Sequence, residues 1–318
     1  MVSTTQDSTV TADSRFSLSD LLSNRYLFVL PTLIFFIGYQ AYPIIRVLWI
    51  SFTDYRYLST EPVNWIWFQN YSEAIRDPLM VQGLIRAVRF TAVFLPGVIL
   101  IPLFLAILVD RVKQPRLAEF YRVVLLIPAT IPSALIFVLW KWMFDFQIGP
   151  INSLLVGGLG IFTPQTAPQW LGGTPLTVIA VVIMEIWWGL GFHTMFFLAG
   201  LAAIPKDLYE AAKVDGAGEW DLFINITLPH LRPIMIVLII LRFGTAMAVI
   251  DEFLILGGFN RASSTYTWTV YMYDLSFKIG QWAQGRAAAI GWIGAVIMMI
   301  VVVGMLYLFQ SDSATEEA

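Results

Sequence analysis

Six apolar runs long enough to cross a bilayer alternate with polar connections: residues 26–50, 85–109, 122–144, 175–202, 231–256 and 287–310. A helix rises about 1.5 Å per residue, so about 20 mostly apolar residues span a bilayer core in which every backbone polar group must be bonded internally. The pattern predicts an all-α chain with six transmembrane helices and both termini on one side. The connections at 51–84, 145–174 and 257–286 are long, and those on the other side are shorter. Trp49, Trp65, Trp67, Trp140, Trp142, Trp170, Trp268 and Trp282 fall at or just beyond run ends, as expected of rings anchored at a membrane interface. The tight connection from Asp110 to Arg122 carries Arg111, Lys113, Arg116 and Arg122 and no Trp. Positive charge concentrates on the cytoplasmic side, so this connection, both termini and the connection at 204–229 are expected there.

That last connection is not a plain linker. Ile204-Pro205 opens it with a proline suited to a first helical position, and Asp207 and Glu210 follow where negative charge complements the helix dipole. Gly216 and Gly218 break the segment where left-handed dihedrals are cheap. Trp220, Phe223, Ile224 and Leu228 then recur at helical spacing up to Pro229, which gives a helix, a glycine turn and a second helix. Small Ala211 and Ala212 beside Glu210 permit close approach to a partner while the carboxylate meets a basic group or a backbone N–H. A helix lying on lipid, favoured by Trp220 and Phe223, is the plainer reading.

The arrangement resembles the EAA loop of permease subunits of ATP-binding-cassette importers, through Glu210-Ala211-Ala212, Asp215-Gly216-Ala217 and Ile226-Thr227-Leu228-Pro229. The resemblance covers residues 25–310 and is to the binding-protein-dependent sugar permeases of the maltose and glycerol-phosphate branch. Tyr26-Leu27-Phe28-Val29-Leu30-Pro31, Tyr42-Pro43 and Ser51-Phe52-Thr53-Asp54 look like the first of the two unlike permeases such importers carry. It implies a type I importer permease fold in a bacterial cytoplasmic membrane, flanked by cytoplasmic tails at 1–24 and 311–318. It implies a heterodimer with a second related permease, two cytoplasmic ATPase subunits that hold ATP and Mg, an external solute-binding protein and a small carbohydrate substrate. Tyr209, Glu210, Ala211, Ala212, Asp215, Gly216, Ala217, Leu228 and Pro229 would form the ATPase-coupling loop. Substrate contacts in that branch come from the spans flanking the loop, where this chain carries Glu185, Trp188, Gly189, Phe192, Arg242, Thr245 and Ala246. Glu185, Arg242 and Ala246 stand where the maltose type has smaller neutral or amide groups, and Arg242 leaves an anionic solute such as a glycerol phosphate open.

Composition narrows the function classes. With 58% hydrophobic residues, 13% charged and a mean hydropathy of +0.73, the chain has too little polar surface for a soluble globule and belongs in a lipid bilayer. A net charge of -3 without a basic stripe argues against nucleic acid. No cysteine is present, so disulfides, thiol chemistry and cysteine-ligated zinc are excluded. The first 24 residues read as a solvated tail, and Gly157-Gly158 and residues 163–168 read as external loop with little regular structure. That loop is a surface connector or a docking surface for the solute-binding protein. No GxxxxGK[ST] phosphate loop occurs, so ATP is not expected to bind this chain, and no catalytic or metal site is expected.

Ionisable groups inside spans are costly and therefore candidates for function: Glu185 in the fourth, Arg242 in the fifth, and Asp251-Glu252 near the outer end of the fifth. Counting from the cytoplasmic ends puts Glu185 about 24 Å up and Arg242 about 17 Å up, within reach of an interhelical salt bridge. Such a pair either stabilises packing or lines a translocation path. Glu185, Trp188, Gly189 and Phe192 share a helix face and, with Arg242 and Thr245, supply the aromatic and polar mixture of a sugar site. Ordinary helix packing is the alternative for the aromatics. His193 has no acidic neighbour one turn away and reads as a satisfied interior histidine. Two other classes stay open on the residues alone: an ion-coupled secondary transporter using the buried charges, and a membrane-embedded enzyme acting on lipid-linked sugars.

Overall fold

A computed structural model describes residues 26–278 and 282–316, so the expected tail at 1–24 lies outside the described residues. The chain divides into two compact units, residues 1–50 and 51–318. In the first, α1 (Tyr26–Phe36), a π-helical turn (Ile37–Ala41) and α2 (Tyr42–Ser51) follow without interruption, and Val29–Ser51 is long and apolar enough to span a membrane. Arg46 lies over the Trp49 ring at 4.3 Å, a contact that shields a cation near the end of this run.

The second unit is built on α4 (Pro78–Asp110), which packs against α8 (Pro175–Ala203) and α11 (Leu228–Met247). Small residues on facing sides, Ala87, Ala106 and Ala180, are fully buried and let the helices approach closely. Between them, Phe90 stacks on Phe94 at 5.4 Å and meets the edge of Phe253 at 5.0 Å. Val93, Leu100 and Phe104 on α4 and Met299, Ile300 and Val303 on α14 (Gln284–Glu316) are exposed. Apolar faces of that extent fit lipid or a partner helix. Among the described residues the sole extended pairing is an isolated bridge between Thr53 and Trp65, as an all-α chain requires.

Five continuous helical segments meet the length and apolarity of a span, and a sixth is bent by 95°. The bent one corresponds to residues 122–144, expected as a single helix. It consists of α5 (Pro115–Leu126), a 3₁₀ turn (Pro128–Thr130) and α6 (Ser133–Met143). Pro128 and Pro132 remove two N–H donors, and Pro132 holds the residue before it, Ile131, in the extended region, which apolarity counting does not register. The Ile131 carbonyl accepts from Trp188 Nε1 of α8 at 3.2 Å, so the break is satisfied by a neighbour.

The fifth expected run, 231–256, is also corrected. Its helix ends at Met247, and Asp251 and Glu252 begin a separate short helix, α12 (Asp251–Gly257). Polar side chains from the following connection stop it: Trp268 Nε1 donates to the Met247 carbonyl at 2.8 Å and Thr269 Oγ1 to that of Val249 at 2.5 Å. Trp268 and Trp140, expected at the membrane interface, are therefore buried core residues.

The long connections hold more structure than their composition predicts. They contain α3 (Gln69–Arg76), α7 (Pro150–Ser153) with a π-helical turn at Leu154–Gly158, and α13 (Trp268–Phe277). Residues 163–168 stay non-helical, closed by hydrogen bonds between Thr163 and Thr166. Asp77 ties three helices: it caps α4 through Leu79 N at 2.8 Å and accepts from Arg286 at 2.6 Å and from the Tyr271 hydroxyl. Burial and the Asp274 carboxylate it donates to, at 2.6 Å, push the Tyr266 hydroxyl well above its ordinary pKa. The second and sixth spans begin at 78 and 284, earlier than 85 and 287, and α14 continues to Glu316 through most of the segment expected as a tail at 311–318.

Candidate functional site

The connection after α8 folds as α9 (Lys206–Val214), a turn, and α10 (Glu219–Leu222). Pro205 sits at the cap position, one residue before its expected place. Gly216 has φ +86, the left-handed region where a Cβ is strained, while Gly218 has φ -79 and serves as the cap of α10 with its N–H on Asp221 Oδ2 at 2.9 Å. Only one of the two glycines is thus required by its dihedral. Pro229 was expected to end the second helix. It lies instead inside a continuous helical segment, Glu219–Met247, in which α10 passes through a π-helical turn (Phe223–Thr227) into α11. The wide turn reaches its bonds one residue further back, and proline at the start of α11 has no N–H to misplace.

Two contacts brace the loop. The Tyr209 hydroxyl meets Thr227 Oγ1 at 3.0 Å, clamping α9 onto the π turn. Arg111, just past α4, pairs with Glu219 at 2.7 Å, joining the neighbouring connection to the start of the long helix. Glu210, Ala211 and Asp215 are exposed; Ala212, Ala217 and Leu228 are half-buried; Pro229 is exposed. The Ala217 N–H closes the turn on the Ala212 carbonyl at 2.9 Å. Lys113, Lys206 and Lys213 line a groove of about 820 Å³ between this loop and the end of α4. Glu210 makes no ion pair with another described residue, so its carboxylate is presented to whatever approaches the loop.

The intramembrane residues come together differently from the expected pairing. Arg242 Nε donates to His193 Nε2 at 2.7 Å, and His193 Nδ1 lies 2.6 Å from the Gly189 carbonyl. Nε2 accepts, so Nδ1 carries the proton, and the buried histidine is neutral and fully satisfied. Gly189 is needed here, because a Cβ would come within 2.8 Å of Arg242 Nη2. Glu185, 8% exposed, has its carboxyl within hydrogen-bonding reach of the Glu252 carboxyl. It lines a small cavity with Glu252, Thr245 and Ala246. Arg242 remains close enough to act on both carboxylates electrostatically. Helix-rise arithmetic speaks only to depth, and it is azimuth that hands Arg242 to a histidine two turns from Glu185. The Gly189-x-x-x-His193 spacing was the available signal; Glu252 gave none, since it depends on where α11 stops.

Trp188 is half-buried and committed to the Ile131 carbonyl, whereas Phe192 is exposed and stacks edgewise on Phe196 at 4.9 Å. The shared face of Glu185, Trp188, Gly189 and Phe192 therefore divides into a buried part and an open part. Thr245 is exposed, with its hydroxyl on the Arg242 carbonyl, and Ala246 is buried.

Similarity to known proteins agrees with this geometry. The chain is 31% identical over 255 residues, 79% of each chain, to the sulfoquinovosyl glycerol transport system permease of Agrobacterium fabrum. It is 30% identical over 289 residues, 90% of this chain and 94% of the other, to the trehalose/maltose transport system permease of Thermococcus litoralis. It is 30% identical over 290 residues, 91% and 88%, to the arabinooligosaccharides transport system permease of Bacillus subtilis. Its fold matches a chain of a bacterial ABC transporter involved in the import of alginate with a TM-score of 0.78 at 22% identity, over 92% of this chain and 98% of that one. This is the type I importer permease fold, all-α and polytopic. The model of binding-protein-dependent transport system inner membrane components matches residues 98–311, two thirds of the chain, and the protein belongs to that family.

Proposed function

We propose that this protein is a translocation subunit of an importer for a sugar or related carbohydrate, and that residues 204–229 couple it to an ATPase partner. The observation that carries this reading is the short helix α9, on which Glu210 and Ala211 are exposed beside half-buried Ala212, while Tyr209 anchors it to the π turn of a helical segment that runs on to Met247. A partner that grips α9 therefore holds the end of a rod about 40 Å long, on whose far part Arg242 sits. Closure of the ATPases would shift the spans between inward and outward openings as a two-state equilibrium.

The remaining parts follow from that role. ATP and Mg bind the ATPase subunits, and this chain makes no bonds. A second related permease completes the pathway, covering some of the apolar faces of α4 and α14, and an external solute-binding protein delivers the solute. One solved relative is an alginate transporter in complex with a pentasaccharide-bound periplasmic protein, which supports such a partner. The chain resides in a cytoplasmic membrane with both termini and the 204–229 loop inside. The names of the relatives favour a carbohydrate, and Glu185, Trp188, Gly189, Phe192, Arg242, Thr245 and Ala246 are the residues we place nearest its path, with exposed Phe192 and Thr245 in contact. The family match favours this reading over an ion-coupled transporter or an enzyme on lipid-linked sugars.

The test is reconstitution of the chain with its associated subunits in vesicles. Uptake of a carbohydrate that requires ATP and a loaded solute-binding protein is expected. Uptake by the lone chain, or without ATP, would contradict the assignment.

A further inference from the structure

The groove of about 820 Å³ between α9 and the end of α4 combines two chemistries. Its floor is apolar, with Ile107, Leu201, Ile204, Leu222 and Phe223. Its rim is cationic. Arg111 is spent on Glu219, but Lys113, Lys206 and Lys213 make no ion pair with another described residue, and only Asp110 opposes them. This is a local excess of positive charge in a chain of net charge -3. Lys206, Tyr209 and Lys213 recur at i, i+3 and i+7 and turn one face of α9 to the groove, whereas Ala211 lies on the opposite face. The level is that of a membrane boundary: α4 ends at Asp110 and α8 at Ala203, the Glu219–Met247 segment begins there, and all three are long and apolar enough to span. Exposed Leu108 neighbours Ile107, and exposed Phe104 lies one turn further along α4, so an apolar track leads from the rim toward the lipid. Trp220, 69% exposed, stands beside Phe223 with ring centroids 5.6 Å apart, as a ring at headgroup level does.

We propose that this groove binds the headgroup of an anionic phospholipid, its phosphate held among Lys113, Lys206 and Lys213 and its chains lying along the end of α4. A phosphate diester joined to acyl chains uses both the rim and the floor, whereas a free phosphate would use the rim alone. The lipid braces α9 from the side away from Ala211, between the loop and the neighbouring connection. The site needs only that the chain spans a membrane, and it depends neither on the solute nor on the ATPase contact.

The test titrates the full chain in neutral detergent, alone and with the subunits that co-purify, with phosphatidylglycerol or with phosphatidylcholine of the same chains, and counts retained lipid by native mass spectrometry. Phosphatidylglycerol should be retained saturably with a Kd roughly tenfold below that of phosphatidylcholine, in both preparations, and inorganic phosphate should not displace it. Lys206→Gln combined with Lys213→Gln should erase the preference, while Lys141→Gln, at an exposed lysine in the last turn of α6, should keep it. Lys113→Gln is the second variant if the double one does not fold. Equal affinity for the two lipids overturns the proposal, as does an equal loss in Lys141→Gln. Displacement by inorganic phosphate would show that a free anion suffices, and a preference that vanishes when the other subunits are present would assign the groove to a protein contact; either result overturns it. A failure of the coupling assignment would appear in uptake and leave lipid retention unchanged.

Discussion

Arg242 shows what one side chain decides. Its Nε is held by His193, so His193→Ala strands a half-buried guanidinium N–H and should lower stability by about 1–2 kcal/mol. A double-mutant cycle on Tm between His193 and Arg242 should give a coupling of about 1–2 kcal/mol, larger than the cycle between Glu185 and Arg242. Equal couplings would restore the direct Glu185–Arg242 pair. Gly216→Val places a β-branched residue at φ +86, at about 1–3 kcal/mol of local strain. Because the turn lies outside the spans, insertion and ATPase association should survive while uptake falls; normal uptake in vesicles would remove the lever. The need for a left-handed residue at 216 was readable from the sequence, since glycine after a helix of known polarity has few other uses. The partners of Arg242 were not, because a residue's azimuth depends on how two helices are rotated against each other.

At the scale of elements, the breaks carry the information. Apolarity counting located every span, yet it ran through Pro128 and Pro132 and past Met247, because hydropathy is indifferent to whether the backbone can stay helical. The prolines were visible; the Trp268 and Thr269 caps on α11 come from a connection 20 residues later and were not. Trp188→Phe keeps an aromatic ring but loses the N–H that bonds the Ile131 carbonyl at the break and the pyrrole half of a side chain packed on the core, so it should cost about 1–3 kcal/mol. A loss no greater than that of Trp142→Phe, at an exposed ring without that bond, would show that the break is satisfied otherwise. In the loop, Glu219 is already paired with Arg111, both well exposed, so Glu219→Gln should change stability little. Glu210→Lys, at a carboxylate presented outward, should reduce co-purified ATPase far more than Glu219→Lys does, although both change the loop's charge equally. Equal losses would mean that the loop's net charge, not a contact at Glu210, recruits the partner.

In the whole molecule, an exposed helix outside the spans is joined to a rod long and apolar enough to cross a membrane. The central claim is that α9 faces the cytoplasm and is gripped by an ATPase subunit. A chain without cysteine makes it directly measurable, since any introduced thiol is unique. Single-cysteine variants Ala211→Cys in α9 and Thr166→Cys in the connection before α8 can be probed with a thiol crosslinker in membranes containing the assembled transporter. The account predicts a permease–ATPase adduct from position 211, none from 166, and protection of 211 from an impermeant reagent added outside. Labelling of position 211 from the outside, or an ATPase adduct from 166 instead, would contradict it.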